Sequence, residues 1–269
     1  MSAFSADWLA LREPFDTRAR SPAVLDAVAG FFAHRHSVRI IDLACGTGST
    51  LRALSPRLPP RQCWTLVDND PRLLARAAST PMSQDVSVTV LARDLSHDLE
   101  PALGEAVDLI ATSALLDLVS EAWLQRLVIA VTARAIPFYA ALSYDGRVVF
   151  TPPDEFDAAV IGAVNLHQRT DKGFGAALGP AAADVALARF TALGWAVVQG
   201  ISDWQIGREG REMQDALMDG WASAAHDTGT LSGRDITGWL ARRRAATAAG
   251  RSSLLVGHVD FLAMPSATR

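Results

Sequence analysis

The segment Val38-Arg39-Ile40-Ile41-Asp42-Leu43-Ala44-Cys45-Gly46-Thr47-Gly48 constrains the fold most. A β-branched run ending abruptly in small residues and glycine reads as a buried strand feeding a tight turn. Gly46 and Gly48 let the backbone approach a ligand closely. The helix expected from Ser49 to about Leu54 offers unpaired N–H groups at its start. In α/β sheets such a turn lies beyond the carboxyl ends of the strands, where ligands bind. Alone, it establishes nucleotide-like binding and nothing about a reaction.

The rest of the chain alternates short apolar runs with helical patterns, which predicts a parallel sheet covered by helices. Further strands are expected at Trp64 to Asp68, Ser87 to Ala92, Val107 to Thr112 and Phe138 to Tyr144, the last turned by Asp145-Gly146. Asn69-Asp70-Pro71 starts a helix that ends before Pro81. Trp123, Leu124, Leu127, Val128 and Val131 recur at helical spacing between Ser120 and Ala135. Asp184 to Leu193 reads as a helix, and Trp195 to Ile201 and Leu254 to Ala263 as the last strands. The fold class is therefore α/β, a doubly wound, mostly parallel sheet of seven strands. The proline- and glycine-rich residues 151–180 and the helical residues 205–245 break the rhythm and read as cap-like insertions above the strand ends.

One domain over 1–269 is expected: an N-terminal helical lid (1–37), a cofactor-binding core (38–144) and substrate-side insertions (145–180 and 205–245). The length and the 49% hydrophobic content suffice for one large core. A net charge of -4 argues against general affinity for nucleic acid. Cys45 and Cys63 form no CxxC pair or Cys/His cluster, so neither a disulfide framework nor a bound metal is expected. The N-terminus lacks a basic patch followed by an apolar run, and no stretch reaches the roughly 18 apolar residues of a membrane span. The expectation is a cytoplasmic protein without membrane association; oligomeric state stays open.

Two acidic positions extend the glycine turn. Asp68 ends the second strand, where a carboxylate can accept both hydroxyls of a ribose. Asp94-Leu95 follows the third strand, where an acidic side chain can accept from an adenine amino group. Singly, either aspartate fits a helix cap equally well. Together with the turn they mark ligand-facing positions at three successive strand ends.

Asp42-Leu43-Ala44-Cys45-Gly46-Thr47-Gly48 closely resembles the first motif of class I S-adenosylmethionine-dependent methyltransferases. Leu66-Val67-Asp68-Asn69-Asp70-Pro71 resembles their second motif, Arg93-Asp94-Leu95 their adenine-binding turn, and Asp108 to Leu118 their fourth motif, with Ser113 beside the methionine end. The resemblance covers residues 38–144 well and implies a Rossmann-like sheet with S-adenosyl-L-methionine as cofactor. It implies cofactor contacts at Asp42, Ala44, Cys45, Gly46, Gly48, Asp68, Asn69, Asp94, Leu95 and Ser113. Many relatives carry glycine where this chain has Ala44; alanine is small enough for binding to survive. The fourth motif, Thr112-Ser113-Ala114-Leu115-Leu116-Asp117, lacks the Asn/Asp-Pro-Pro-Tyr/Phe signature of relatives that methylate amino groups of bases or glutamine. Thr151-Pro152-Pro153 follows the fifth strand rather than the fourth and is no substitute.

Methyl transfer needs mainly alignment and a dry site, plus a general base where the acceptor carries a proton. Asp117, just past the fourth strand, is the first base candidate. His167, in the polar segment from Asn165 to Gly175, is the second, and Tyr144 a weaker third. Arg18 or Arg20, in a helix and turn from Trp8 to Ser21, is placed to meet the methionine carboxylate. His34-Arg35-His36 and Arg242-Arg243-Arg244 read as solvated helix surface. The leading function is methyl transfer to a small-molecule metabolite through an O, N or C nucleophile. A non-catalytic S-adenosylmethionine-binding relative is the alternative. A nicotinamide-dependent oxidoreductase fits less well, because Leu51 occupies the third glycine position of Gly-x-Gly-x-x-Gly.

Overall fold

β1 (Ser37–Leu43) is buried continuously from Ile40 to Leu43, as a central parallel strand covered on both faces requires. The computed structural model describes residues 4–266; positions 1–3 of the expected lid and 267–269 of the expected domain lie outside the described residues. β2 (Arg61–Asp68), β3 (Val86–Ala92), β4 (Leu109–Ser113) and β5 (Phe138–Thr151) run parallel to β1. β6 (Ala196–Ile201) and a short β7 (Trp204–Ile206) pair antiparallel with β8 (Ser253–Met264), which is antiparallel to β5. The sheet order is β3-β2-β1-β4-β5-β8-β6, with β7 beside β8. The order reverses at β1, the switch point at which doubly wound sheets bind ligands.

Register brings the expected site residues to one end of the sheet. Leu43 pairs with both Val67 and Thr112, so Ala44, Asp68 and Ser113 emerge at one level. Asp68 pairs with Ala92, which sets Asp94 just beyond.

Helices cover both faces. α1 (Ala6–Ala19) roofs the strand ends; α2 (Pro22–Phe32), α3 (Ser49–Leu54) and α4 (Pro71–Ala78) bury Phe32, Leu51 and Leu74 against Trp64 and Tyr139. α5 (Leu99–Ala102) and α6 (Glu121–Ala133) lie on the opposite face with α8 (Ala182–Ala192), packing Leu99, Leu127 and Phe190 onto Phe138 and Phe261. α7 (Asp157–His167), α9 (Arg211–Thr228) and α10 (Gly233–Ala248) form a cap. Its own core joins Val160, Trp221 and Trp239 to Phe150 and Trp204.

Three features differ from the sequence-based expectation. The sheet has eight strands, because Trp204–Ile206 pairs with Leu254–Val256 before the helical insertion begins. β5 does not reverse at Asp145-Gly146: Val148 to Thr151 continue the ladder with Val256 to Ser253, and the intervening residues form a bulge. The region 151–180 contains α7, whose Val160, Ile161, Ala163 and Val164 are buried at helical spacing; the flanking prolines and glycines hid that period.

Candidate active site

A cleft of about 1210 Å³ opens over the carboxyl ends of the strands. Three non-glycine residues at its wall hold left-handed backbone: Ala44 after β1 (φ 54), Ala114 after β4 (φ 52) and Leu142 in β5 (φ 53). Each costs about 1–2 kcal/mol for an L-residue. Such strain gathers where the chain is bent to present backbone to a ligand. Asp260 stabilises the third of these bends. Its buried carboxylate accepts from Leu142 N at 2.7 Å and from Ser21 N at 2.9 Å, tying the β5 bulge to the start of α2.

The glycine turn is clamped from two sides. Gly46 N donates to Asp68 Oδ2 at 2.8 Å, and Asp70 N donates to Asp68 Oδ1 at 3.0 Å. Arg52 of α3 donates to Thr47 O at 2.6 Å and grips both carboxylate oxygens of Glu13, joining the turn to α1. Gly46 lies at φ 53, and a Cβ there would stand 3.1 Å from Leu9 Cδ1 of α1. Glycine thus spares the turn the cost of a left-handed φ and leaves room for the Leu9 side chain of the roof.

The cleft takes in Ala44, Cys45 and Gly46 from the turn, Asp68 and Asn69 from the end of β2, and Asp94 and Leu95 beyond β3. Ser113, Asp117 and His167 line it as well. Asp94 Oδ1 accepts from Ser96 N at 3.0 Å and Ser96 Oγ at 2.6 Å, and these bonds hold its carboxyl below the usual range. The burial of Cys45 pushes its thiol far up, so it lines the pocket as a neutral group.

Asp42, Gly48 and Arg20 do not line the cleft. Asp42 is fully buried inside the sheet, neither of its oxygens has a hydrogen-bond partner among the described residues, and burial raises its pKa to about 7. Gly48 turns inward at φ 86 against Ala77 and Arg52. Arg20 is sealed behind the wall, donating to Tyr139 Oη at 3.1 Å and to Ser113 Oγ at 3.2 Å. It therefore orients Ser113 from behind and leaves that hydroxyl's proton for the cleft. Arg18 is exposed, its guanidinium 4.6 Å from the Phe15 ring centroid.

Asp117 sits in a 3-10 turn, Leu116–Leu118, ahead of the Ser120 cap of α6. It is buried, and its Oδ1 has no partner among the described residues. Burial raises its pKa to about 6, partly opposed by Arg12. His167 closes α7 with Nδ1 3.2 Å from Lys172 Nζ and Nε2 3.7 Å from Asp227. Burial and the Lys172 charge lower its pKa.

Sequence reasoning expected a helical lid but missed the residues of α1 that line the cleft, and it missed the far wall. Trp8, Arg12 and Asp16 are spaced four apart, share one face of α1 and all line the cleft. That spacing was readable. Arg12 pairs with Asp16 through Nε at 2.9 Å and Nη2 at 3.2 Å, while Trp204 Nε1 donates to Asp16 Oδ1 at 2.9 Å. Trp204, His258 and Trp221 complete the wall from β7, β8 and α9. His258 was visible as a polar interruption of the apolar run from Leu254 to Ala263.

Residues 40–135 match the family described as "Methyltransferase domain". Among solved structures, a cyclopropane-fatty-acyl-phospholipid synthase-like protein from Lactobacillus casei is 14% identical, covering 97% of this chain and 94% of its own, with a TM-score of 0.52. A cyclopropane synthase from Mycobacterium tuberculosis is 12% identical over 89% and 82% of the two chains, with a TM-score of 0.48. A SAM-dependent methyltransferase from Thiobacillus denitrificans, in complex with S-adenosyl-L-homocysteine, is 15% identical over 97% and 99%, with a TM-score of 0.44. No curated protein matches the chain in sequence. The sheet order is that of a Rossmann-like α/β fold, the fold shared with the Lactobacillus casei structure. Over residues 40–135 the chain is thus similar to a methyltransferase domain. Among the described residues, no helix is long and apolar enough to cross a membrane.

Proposed function

We propose that this chain methylates a small-molecule acceptor held in the same cleft as S-adenosylmethionine. One observation carries this reading: the cleft exceeds the roughly 300–1,000 Å³ of a single-ligand pocket and changes character along the sheet. Asp94, Asp68 and the Ala44 turn lie at the ends of β3, β2 and β1, in the polar positions a nucleoside needs. Tyr144, His258 and Trp204 lie at β5, β8 and β7 and form an aromatic wall. Ser113 and Asp117, past β4, stand between the two.

The residues fit the cofactor. Asp68 takes the ribose hydroxyls, its carboxylate already aligned by two backbone donors, and Asn69 borders the same pocket. Asp94 accepts from the adenine amino group beside Leu95. Arg12, rather than Arg20, takes the methionine carboxylate, since only Arg12 lines the cleft; the Ser113 hydroxyl supports it. S-adenosylmethionine supplies a methyl group activated by sulfonium charge, and an acceptor lone pair takes it as the carbon–sulfur bond breaks. Asp117, buried in the cleft wall, receives the acceptor's proton. His167 is assigned to the rim, because Lys172 and Asp227 flank its two ring nitrogens. The described roof and cap support one domain spanning 1–269, with 1–37 as lid and 145–180 and 205–245 as the acceptor side.

The test combines calorimetry with S-adenosylhomocysteine and transfer from methyl-labelled cofactor into a metabolite pool. Binding plus labelled product is expected. Binding of NADH without S-adenosylhomocysteine overturns the cofactor assignment. Cofactor binding with no labelled product identifies a non-catalytic relative.

A further inference from the structure

His258 is a buried imidazole with one nitrogen committed and one offered. Its Nδ1 lies 3.0 Å from Val256 O. A carbonyl only accepts, so Nδ1 carries the proton and Nε2 is left as a lone pair. No described residue bonds Nε2, although the side chain is 96% buried and lines the cleft. Burial and the Arg12 guanidinium push its pKa down to about 3, so the ring is neutral across the working range of pH. Nε2 therefore opens onto the cleft, where it can accept from a ligand that carries a donor.

The surroundings specify shape and charge. Trp204 lies 4.6 Å from the imidazole centroid and Tyr144 meets it edge-on at 6.0 Å. The Tyr144 hydroxyl is engaged, donating to Asn165 Oδ1 at 2.8 Å, and does not compete for Nε2. Trp8 and Trp221 line the same cavity. Rigid ring faces of this kind stack on flat molecules. An anion there would meet Asp16 and Asp117, and a cation would meet Arg12, whose guanidinium lies 4.9 Å from the Trp204 ring centroid. Arg12 and Asp16 neutralise one another, which leaves the Asp117 carboxylate as the remaining formal charge beside the wall and disfavours an anion.

We infer that Trp204, His258 and Tyr144 form the acceptor subsite, and that it takes a flat aromatic molecule that carries no negative charge and donates an O–H or N–H to His258 Nε2. This inference rests on the reading that the cleft binds a methyl acceptor beside its cofactor. His258 is here a recognition residue, and Asp117 remains the base.

The experiment titrates the full chain with indole, with indene (the same shape without the N–H), and with decanoate, each in the absence and presence of S-adenosylhomocysteine. Indole is expected to bind about tenfold more tightly than indene, because a site built around a hydrogen bond rejects the analogue lacking it. Decanoate is expected not to bind. His258→Phe, which keeps an aromatic ring at the position, is expected to bind both bicyclic compounds equally. Its far-UV circular dichroism melt reports whether it folds, and the indole–indene comparison on the unaltered protein does not depend on the variant. No indole binding at millimolar concentration, equal binding of indole and indene to the unaltered protein, or decanoate binding in place of indole each overturns the inference. Absence of S-adenosylhomocysteine binding overturns the cofactor assignment instead, and the titration of free protein still reads the subsite.

Discussion

Gly46 and Asp68 are bonded directly: the glycine N–H donates to the carboxylate Oδ2 at 2.8 Å, making the turn after β1 and the end of β2 one unit. Since Asp70 N holds the other oxygen, the carboxylate is set in place before any ligand arrives.

In the proposed binding mode, Asp68→Ala removes a ribose contact and the anchor of the turn together. A charge-assisted bond is worth about 1.5–3 kcal/mol. Calorimetry with S-adenosylhomocysteine is expected to show affinity falling by that amount or more. Unchanged affinity would move the nucleoside elsewhere in the cleft.

Asp117→Asn tests the base. A general base contributes about 10²–10⁴-fold, and the variant is expected to lose methyl transfer on that scale while still binding S-adenosylhomocysteine. The base acts deprotonated, so the rate should rise with pH up to about 6 and level off above it. The rising limb should vanish in the asparagine variant. A limb that persists there assigns the titration to another group.

Asp42 offers a stability measurement. Burial raises its folded pKa to about 7 from 3.8. The native state then holds a proton that the unfolded chain has released, so stability falls as pH rises from 4 to 7. The loss is on the order of 4 kcal/mol at full effect. Asp42→Asn removes the titration, and its melting temperature relative to the parent should climb across that interval. A constant difference between the two proteins would contradict the assignment.

Gly46→Ala separates backbone strain from crowding. The left-handed φ costs about 1–2 kcal/mol, while the added Cβ meets only the end of the Leu9 side chain at 3.1 Å. Adding Leu9→Ala to Gly46→Ala is expected to recover less than half of the lost stability in chemical denaturation. Full recovery would make the contact with α1 the dominant cost.

The cofactor side of the cleft was legible because its positions follow from sequence order. A glycine turn ends β1, Asp68 ends β2 and Asp94 follows β3, so strand register alone gathers them. Asp42 shows the limit of motif reading: motif membership does not say whether a side chain faces the ligand or the core behind it. The aromatic wall was not legible, because Trp204, His258 and Trp221 come from a three-residue strand, the interior of β8 and a cap helix. Local periodicity carries no information about such long-range partners. α7 was hidden by its own flanks, where prolines and glycines outweighed a correct helical period.

α1 makes its inward contacts largely through charge. Its buried residues are Arg12, Phe15 and Asp16, and Arg52 holds it to the glycine turn through Glu13. The Arg52–Glu13 pair is partly exposed and so open to screening by salt, whereas the apolar burial beneath the sheet is not. Ionic strength thus acts on the roof and spares the floor. If α1 is the lid of the proposed function, product release becomes salt-sensitive, and amide exchange in residues 6–19 is where that sensitivity is recorded.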